Sequence, residues 1–527
     1  MAADDDHHAK QFRFQPESLV LSRSVYAGDA GSVTVGQVLP PGCVPGTITL
    51  PLLAGGTTTV KIKSGSSSGC NSAVADGTYP TVFNNDGADG SFGITSPIFL
   101  DNLTTDGRLL DTLTIPSDQI VTSFSSKSEL ALHLSTDGKS ITFVGYRGGP
   151  GFVTGPNQLD VSNSNTPGVV DPTNPVSSQY FRSVVEVDAF GDLRITEGNA
   201  YSGNNGRSAI KANSLYYLAG NDNNGGLNAA QLTGTQVGVN LITSTGMELL
   251  VPGQAPPPVP PAVNKIGEFS VTSVGYKTAD KPGKDNNFRG LTIFNNTLYA
   301  TKGSGGNGIN TVYQVGAAGV LPTGSTAELA AVPITVLPGF PTTLASGVAL
   351  DGSANNPVAF PFGIWFADAN TLYVCDEGDG TLVSPAVDGN VASAASQATA
   401  GVQKWIQVNG SWRMAYVLQN GLDIGVPYSV ANYPAALNPA TDGCRNIAGQ
   451  VHGDGTVTIY AVTSTVSASG DQGADPNKLV KVSDLLSAMA LPKEEGNVGS
   501  SGLGHFVTIR AAQAGEVLRG VALAPGQ

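Results

Sequence analysis

The chain has 527 residues, only 13% of them charged, and it contains 67 glycines and 33 prolines. Its net charge of −14 argues against nucleic acid or an anionic membrane surface as a partner. No apolar run reaches the about 18 residues that a membrane-spanning helix needs, so we expect no membrane insertion. The composition favours short strands joined by turns, and we expect one all-β domain that is monomeric.

A hairpin pattern recurs along the chain at intervals of 73 to 83 residues. Each copy alternates apolar and polar residues on both sides of a short Asn, Asp or Gly turn, as in RGLTIFNNTLY. The copies begin at Glu129, Arg207, Arg289, Phe362, Arg445 and Arg519. Long all-β units at a steady period are typical of the blades of a β-propeller.

The two ends of the chain are predicted to share one blade. The copy at Arg519 stops after a single strand, and residues 18–26 and 32–38 have the pattern of strands that could complete it. Pairing the first strand with the last would remove exposed sheet edges. Residues 1–17 are expected to be a flexible tail.

The number of blades follows from the spacing. From Arg519 to the end and from Met1 to the first copy there are 137 residues, which fits the shared blade and one more. The strands of that additional blade would include 96–103 and 108–115. We therefore predict a single seven-bladed β-propeller of four-stranded antiparallel blades over residues 18–527, although six or eight blades also fit.

The cysteines indicate an oxidising compartment. Cys43 and Cys70 flank a loop rich in Thr, Gly and Ser that has little core of its own, so we predict a disulfide between them. Cys375 and Cys444 are either a second disulfide or two small buried thiols. Together with the low lysine content, this favours a secreted or periplasmic protein.

Four of the six hairpin copies begin with an arginine. Because the innermost strand of each blade lines the central channel, we expect Arg207, Arg289, Arg445 and Arg519 to form a partial ring at one mouth. Arginine presents a planar set of donors that suits carboxylate or phosphate. Alternatively, each arginine pairs with an aspartate of a neighbouring blade and serves only to hold the ring together.

The same face is predicted to carry the other candidate site residues. Phe362 and Trp365 would pack the apolar part of a ligand held by the arginines. Lys127 and Glu129 are the candidate acid–base pair, with Tyr201 as a second proton donor. All three come from loops dense in small hydrogen-bonding side chains, and such loops also fold on themselves as simple turns.

Carboxylates on this face make calcium the candidate metal. Asp376, Glu377 and Asp379 lie in one Gly-containing loop, and calcium prefers several oxygen ligands in flexible geometry. The same spacing is also common in β-turns. The five histidines are too scattered for a copper or zinc centre, and nothing indicates a haem, flavin or nucleotide cofactor.

The hairpins FGIWFADANTLYV and RGLTIFNNTLYA resemble the inner hairpins of secreted propellers, including the lactonase-like and phytase-like groups. The resemblance implies a propeller fold, and enzymes of those groups bind calcium through acidic residues on the channel face. We expect an extracytoplasmic hydrolase or lyase that acts on a small anionic molecule at the channel mouth. The alternative is a propeller without catalytic activity that binds a ligand or another protein.

Overall fold

The fold is taken from a computed structural model. It describes residues 12–26, 36–39, 46–52, 55–61, 71–72, 94–124, 126–127, 129–148, 164–167, 180–221, 246–254, 264–280, 285–304, 306–354, 356, 358–381, 394, 397–467, 473–492 and 502–526. Regular structure in these ranges is almost entirely β-strand. No helix among these residues is long and apolar enough to cross a membrane.

The strands are numbered in chain order. They are β1 (Leu19–Val25), β2 (Val38–Leu39), β3 (Thr47–Pro51), β4 (Thr57–Lys61), β5 (Asn71–Ser72), β6 (Thr95–Ser96), β7 (Ile98–Leu103), β8 (Leu109–Thr114), β9 (Ile120–Ser123), β10 (His133–Leu134), β11 (Ser140–Arg147), β12 (Arg182–Asp188), β13 (Leu193–Gly198), β14 (Gly206–Ala212), β15 (Leu215–Gly220), β16 (Met247–Leu250), β17 (Leu291–Phe294), β18 (Thr297–Lys302), β19 (Thr311–Val315), β20 (Ile334–Val336), β21 (Pro361–Asp368), β22 (Thr371–Asp376), β23 (Gly401–Val408), β24 (Ser411–Leu418), β25 (Ala440–Val451), β26 (Thr456–Val466), β27 (Lys478–Leu485), β28 (Val507–Ala511) and β29 (Glu516–Leu523).

Helical structure in the same ranges is confined to short connections. The α-helix α1 (Thr326–Ala330) begins at a capping box, in which Ser325 and Glu328 satisfy each other's backbone N–H groups. Two 3₁₀ turns span Val271–Val274 and Ala435–Leu437. These helical elements have three to five residues each. The β-sheets therefore define the architecture.

The strands form a β-propeller of antiparallel blades. From the channel outward, blade I is β29-β1-β7-β8, blade IV is β17-β18-β19-β20, blade V is β21-β22-β23-β24 and blade VI is β25-β26-β27-β28. Blade II is β10-β11-β12-β13, with β9 and β6 continuing the sheet beside β11. Blade III shows β14-β15-β16, and a bridge between Glu248 and Lys265 adds to its outer edge.

The blade count is six, so the prediction of seven was wrong. Strands β7 and β8, which we assigned to an additional blade, are the third and fourth strands of blade I. The described strands between β1 and β7 do not form a further blade, because β2 pairs with β5, β3 pairs with β4, and β6 pairs with β9 in the sheet of blade II. Val38, expected in the terminal blade, pairs with Ser72 instead.

The recurring hairpins are the inner strand pairs of the blades. Five of the six copies form the strands β10-β11, β14-β15, β17-β18, β21-β22 and β25-β26. The sixth copy forms β29, which pairs with β1 from Leu19 opposite Leu523 to Val25 opposite Glu516. The predicted pairing between the first and last strands is therefore present. The turn at Asn295 and Asn296 has φ values of +46° and +55°, which is typical of a tight two-residue hairpin.

Side-chain hydrogen bonds and one disulfide join the two innermost strands of each blade to those of the next blade. The donors are short polar groups that reach a backbone carbonyl of the next blade, as in Ser22 Oγ to Leu130 O at 2.6 Å. The other such pairs are Thr142 with Ala209, Ser208 with Arg289, and Thr301 with Phe362. Blade VI contacts blade I, because Val521 N donates to Asn446 Oδ1 at 2.6 Å.

Cys375 and Cys444 form a disulfide between blades V and VI. This resolves the alternative that the sequence left open for this pair. Cys43 and Cys70 lie outside the described residues. In the part of the predicted tail that is described, Phe14 is buried and its N–H donates to Ala189 O at 2.9 Å.

Candidate functional site

Three of the predicted arginines meet at one end of the central channel. Arg289, Arg445 and Arg519 line this end together with Lys127 and Phe362, around a narrow cavity of about 10 Å³, which has room for about one water molecule. Each arginine is at most 9% exposed. We call this end the arginine mouth. It brings together five residues that the sequence placed in one site, from four different blades and the loop before blade II.

Backbone and hydroxyl groups fix the guanidinium groups of two arginines. Arg519 Nε donates to Ser24 Oγ at 3.2 Å, and its Nη2 donates to the carbonyl of Phe124. Arg289 Nη2 donates to Ser304 Oγ. The guanidinium carbon of Arg289 lies 5.3 Å from the ring centroid of Phe362, within cation–π range. These bonds hold both cations against the inner strands rather than in solvent.

Arg445 forms an ion pair with Glu377, with Nε and Oε2 3.1 Å apart. Glu377 is 8% exposed, so the pair is largely shielded from water. A buried pair of this kind depends on both partners, because removing one leaves an uncompensated charge. Glu377, predicted as a calcium ligand, therefore holds a guanidinium in this structure.

Glu129 is 1% exposed and is not among the residues that line the arginine mouth. Its Oε1 accepts hydrogen bonds from Tyr146 Oη and, at 2.6 Å, from Asn205 Nδ2. Its Oε2 has no hydrogen-bond partner among the described residues. Burial lowers the pKa of Arg207 to about 10, and the neighbouring charges of Glu129 and Glu377 act in the opposite direction. Arg207 thus stays cationic at neutral pH, close to both carboxylates.

Tyr201, the second predicted proton donor, is fully buried. Its hydroxyl donates to Gly246 O at 3.3 Å, and its ring packs with Tyr216 and Leu218 in the core between blades. It does not line the arginine mouth. This position gives Tyr201 a packing role.

Trp365 lies at the other end of the channel, away from Phe362. It lines a second cavity of about 220 Å³ and stacks on Tyr373 with ring centroids 5.8 Å apart. We call this space the far cavity; its lining is as polar as it is apolar. Its apolar lining residues are Leu132, Leu134, Ile210, Ile293, Ile364, Trp365, Ile447, Ala448, Val521, Ala522 and Leu523.

Asp376 and Asp379 are held by local hydrogen bonds. Asp376 is fully buried and accepts from the N–H groups of Phe360 and Gly378, both at 2.9 Å. Burial raises its pKa to about 6. Asp379 is exposed and accepts from Thr381 N at 2.8 Å. In the described ranges no group of three His, Cys, Asp or Glu side chains could hold a metal ion, and calcium remains a prediction.

Sequence reasoning missed two residues that line these spaces, and a buried lysine on β18. His133 lines both the arginine mouth and the far cavity, and burial lowers its pKa to about 4. Asn446 lines the mouth next to Arg445. Lys302 is fully buried, donates to Asn310 Oδ1 at 2.8 Å, and has its pKa lowered to about 7 by burial. His133 could have been found, since it follows Glu129 by four residues in a hairpin copy.

No protein-family model and no curated protein sequence matches this chain. Among solved structures, an acylaminoacyl peptidase from Pyrococcus horikoshii is 8% identical with a TM-score of 0.27, over 91% of this chain and 52% of that one. An ACO/RPE65 chimera is 8% identical with a TM-score of 0.22, over 92% of this chain and 64% of the other. The chain thus spans less than two thirds of the length of either protein. Such low similarity carries no argument about activity.

Proposed function

We propose that the arginine mouth binds a small anionic molecule and that the protein is an extracytoplasmic hydrolase or lyase acting on it. One observation carries the proposal: Arg289, Arg445, Arg519 and Lys127 surround a single space in a chain whose net charge is −14. Cations gathered in a shielded space attract an anion more strongly than cations in bulk water. Guanidinium groups also offer the paired donors that a carboxylate or phosphate accepts.

The charges that line the space favour an anionic ligand. Four cationic side chains line this end of the channel: Lys127, Arg289, Arg445 and Arg519. Glu377 pairs with Arg445, and the carboxylates of Glu129 and Glu377 act on Arg207, which does not line the space.

Glu129 and Lys127 are the proposed acid–base pair. Glu129 is held by Tyr146 and Asn205 through Oε1, which leaves Oε2 as the oxygen that could take a proton from a substrate or a water molecule. Lys127 lines the mouth and could return a proton to the leaving group. We assign no step to Tyr201, because its hydroxyl is directed to a backbone carbonyl.

A propeller without catalytic activity is the alternative. It is favoured by the contacts of Arg519 and Arg445, which join neighbouring inner strands as a purely structural ring would. The disulfide between Cys375 and Cys444 supports a secreted or periplasmic location under either alternative. Binding and turnover experiments separate the two.

The binding test measures affinity for acetate, succinate and inorganic phosphate by calorimetry, on wild type and on Arg289→Met. Losing one charge-assisted contact should cost about 1.5–3 kcal/mol, or about ten- to a hundredfold in affinity. Arg413→Met is the matched control, because Arg413 is exposed on the outer strand of blade V. If Arg289→Met lowers only the melting temperature and leaves affinity per folded molecule unchanged, the arginines are structural.

Catalysis is tested separately with Glu129→Gln. This change keeps the shape of the side chain and its bond to Asn205 but removes the base. We expect it to retain anion binding and to lose at least about a hundredfold in turnover of any ester or phosphate substrate found by screening. Equal turnover in wild type and variant would exclude Glu129 as the base.

A further inference from the structure

The cavity at the arginine mouth combines a very small volume with several positive charges. It measures about 10 Å³, so it has room for about one water molecule. The cations of Lys127, Arg289, Arg445 and Arg519 line it, and no carboxylate is among the described residues that do so. The cavity is therefore too small to enclose an organic acid, but it can hold a single atom or one water molecule.

Two of the arginines are carried by β-bulges of the inner strands. In β25, Arg445 is the additional residue of a bulge, because its neighbours Cys444 and Asn446 face consecutive residues of β26. In β29, Arg519 is the additional residue, because its two neighbours face consecutive residues of β1. A bulge bends its strand and changes the direction of the side chain that it carries. The bulges thus help to bring both guanidinium groups to one small space.

Glycines next to these positions let neighbouring inner strands approach closely. A Cβ at Gly363 would lie 2.8 Å from Arg445 O, and a Cβ at Gly520, which follows Arg519, would lie 2.4 Å from Leu130 O. A side chain at either position would force the strands apart. The narrowness of the arginine mouth is therefore built into the backbone packing of the blades.

The cations around this cavity favour an anion over a water molecule. Arg289 and Arg519 donate to hydroxyl and backbone carbonyl oxygens, and such bonds fix a guanidinium group without neutralising it. Glu377 pairs with Arg445. Like charges that are shielded from water repel each other more strongly than they do in bulk water, and an anion placed between them removes this repulsion.

We propose that the arginine mouth binds one chloride ion. Chloride carries a full negative charge and is only slightly larger than a water molecule, whereas acetate or phosphate could insert no more than one oxygen into the cavity. Chloride would occupy the place of that oxygen and compete with the anionic molecule proposed above. The competition rests on the proposed function, whereas chloride binding itself does not.

Bromide is the probe for locating the ion, because its anomalous scattering distinguishes it from water. Crystals of the full chain are grown in sodium bromide, and diffraction is measured at the bromine absorption edge. We expect an anomalous peak in the arginine mouth, in contact with at least two of the four cations. A cavity that holds only water under these conditions would overturn the proposal.

A second test measures chloride binding in solution. Urea unfolding is followed at constant ionic strength while sodium chloride replaces sodium gluconate, whose anion is too large for the cavity. A ligand that binds only the folded state raises stability as its concentration rises. Lys127→Met should lower the chloride affinity obtained from this dependence by about tenfold. Arg413→Met, which removes a cation exposed on β24, is the matched control and should leave it unchanged.

The outcomes separate this inference from the proposed function. If chloride binds and acetate, succinate and phosphate do not, the chloride site stands and the proposed function fails; the converse result overturns the chloride site alone. If both kinds of anion bind but chloride leaves the affinity for acetate unchanged, the competition is excluded. Equal chloride dependence in wild type and Lys127→Met would place the ion elsewhere. If Lys127→Met does not fold, the bromide peak in wild type decides.

Discussion

Asp442 shows how burial changes the charge of a single side chain near the site. It is 2% exposed on β25, and its Oδ2 accepts from Gly380 N at 2.9 Å and its Oδ1 from Gln397 Nε2 at 3.0 Å. Burial is the largest cause of a pKa raised to about 7, and the nearby charges of Asp379 and Glu377 raise it further. The folded protein therefore holds a proton that the unfolded chain releases near pH 4.

This predicts a pH dependence for Asp442→Asn. Between about pH 4 and pH 7 the folded state binds more protons at this position than the unfolded state, so the stability of wild type falls as pH rises through this window. Asparagine does not titrate. The free energy of unfolding of wild type relative to Asp442→Asn should therefore decrease from pH 4 to pH 7 and become constant above about pH 8.

Urea unfolding at several pH values measures this difference. Asp379→Asn is the control, since Asp379 is exposed in the same loop. A difference between wild type and Asp442→Asn that stays constant from pH 4 to pH 8 would show that Asp442 is ionised throughout.

The sequence correctly predicted several of the residues that line the arginine mouth. Most of these lie at the start of a blade's inner strand. Arg289, Phe362, Arg445 and Arg519 share that position in their copies and all line the mouth, whereas Arg207 has the same position in its copy and does not line it. Trp365 does not lie at the start of its strand. It is three residues further along β21 than Phe362, which places it about 10 Å closer to the other end of the channel. Glu377 was assigned to a metal because its partner, Arg445, is 68 residues away in the chain.

At the level of strands, close contact between inner strands depends on glycine. Gly290 precedes β17, and a Cβ at this position would lie 1.8 Å from Phe362 O in the next blade. Its N–H donates to Thr301 Oγ1 at 2.8 Å, which leaves little room for it to move. Close packing against the next blade therefore explains why a glycine follows the first residue in several of the hairpin copies.

We predict that Gly290→Ala destabilises the protein by about 1–3 kcal/mol, because the added methyl group forces blades IV and V apart. Gly453→Ala is the matched control: Gly453 lies in an exposed turn, and a Cβ there would meet nothing within 4 Å. Denaturant unfolding of both variants measures the two costs. Equal small effects would mean that the blades separate without strain.

The inner hairpins could be predicted from the sequence, whereas the outer strands other than β7 and β8 could not, for a physical reason. Inner strands such as β17 and β18 are joined by turns of two to a few residues, so their alternation is continuous in the chain. Outer strands follow long connections, and β16 has only four residues, Met247–Leu250. A strand of that length carries too little alternation to be recognised alone.

For the whole molecule, the length of a terminal segment proved a poor guide to the number of blades. The spacing of the hairpin copies predicted the propeller fold. It could not distinguish an additional blade from a long insertion between two strands of one blade. Strands β1 and β7 are adjacent in blade I, with Ser24 opposite Ile98, although 72 residues lie between Val25 and Ile98 in the chain. The intervening segment therefore leaves blade I and returns to it.

This architecture predicts that replacing residues 27–93 with a short Gly-Ser linker preserves the propeller. Val25 N donates to Pro97 O at 3.3 Å, so the two ends of the cut are already close, and blade I keeps all four of its strands. We expect a soluble protein with one cooperative melting transition and unchanged affinity for anions. Removing residues 1–26 is the contrasting variant: it deletes β1 from between β29 and β7 and should abolish cooperative folding. The opposite result would contradict this architecture: a linker variant that fails to fold, beside a folded variant that lacks residues 1–26. Residues 27–93 would then contribute a structural unit that is not among the six blades.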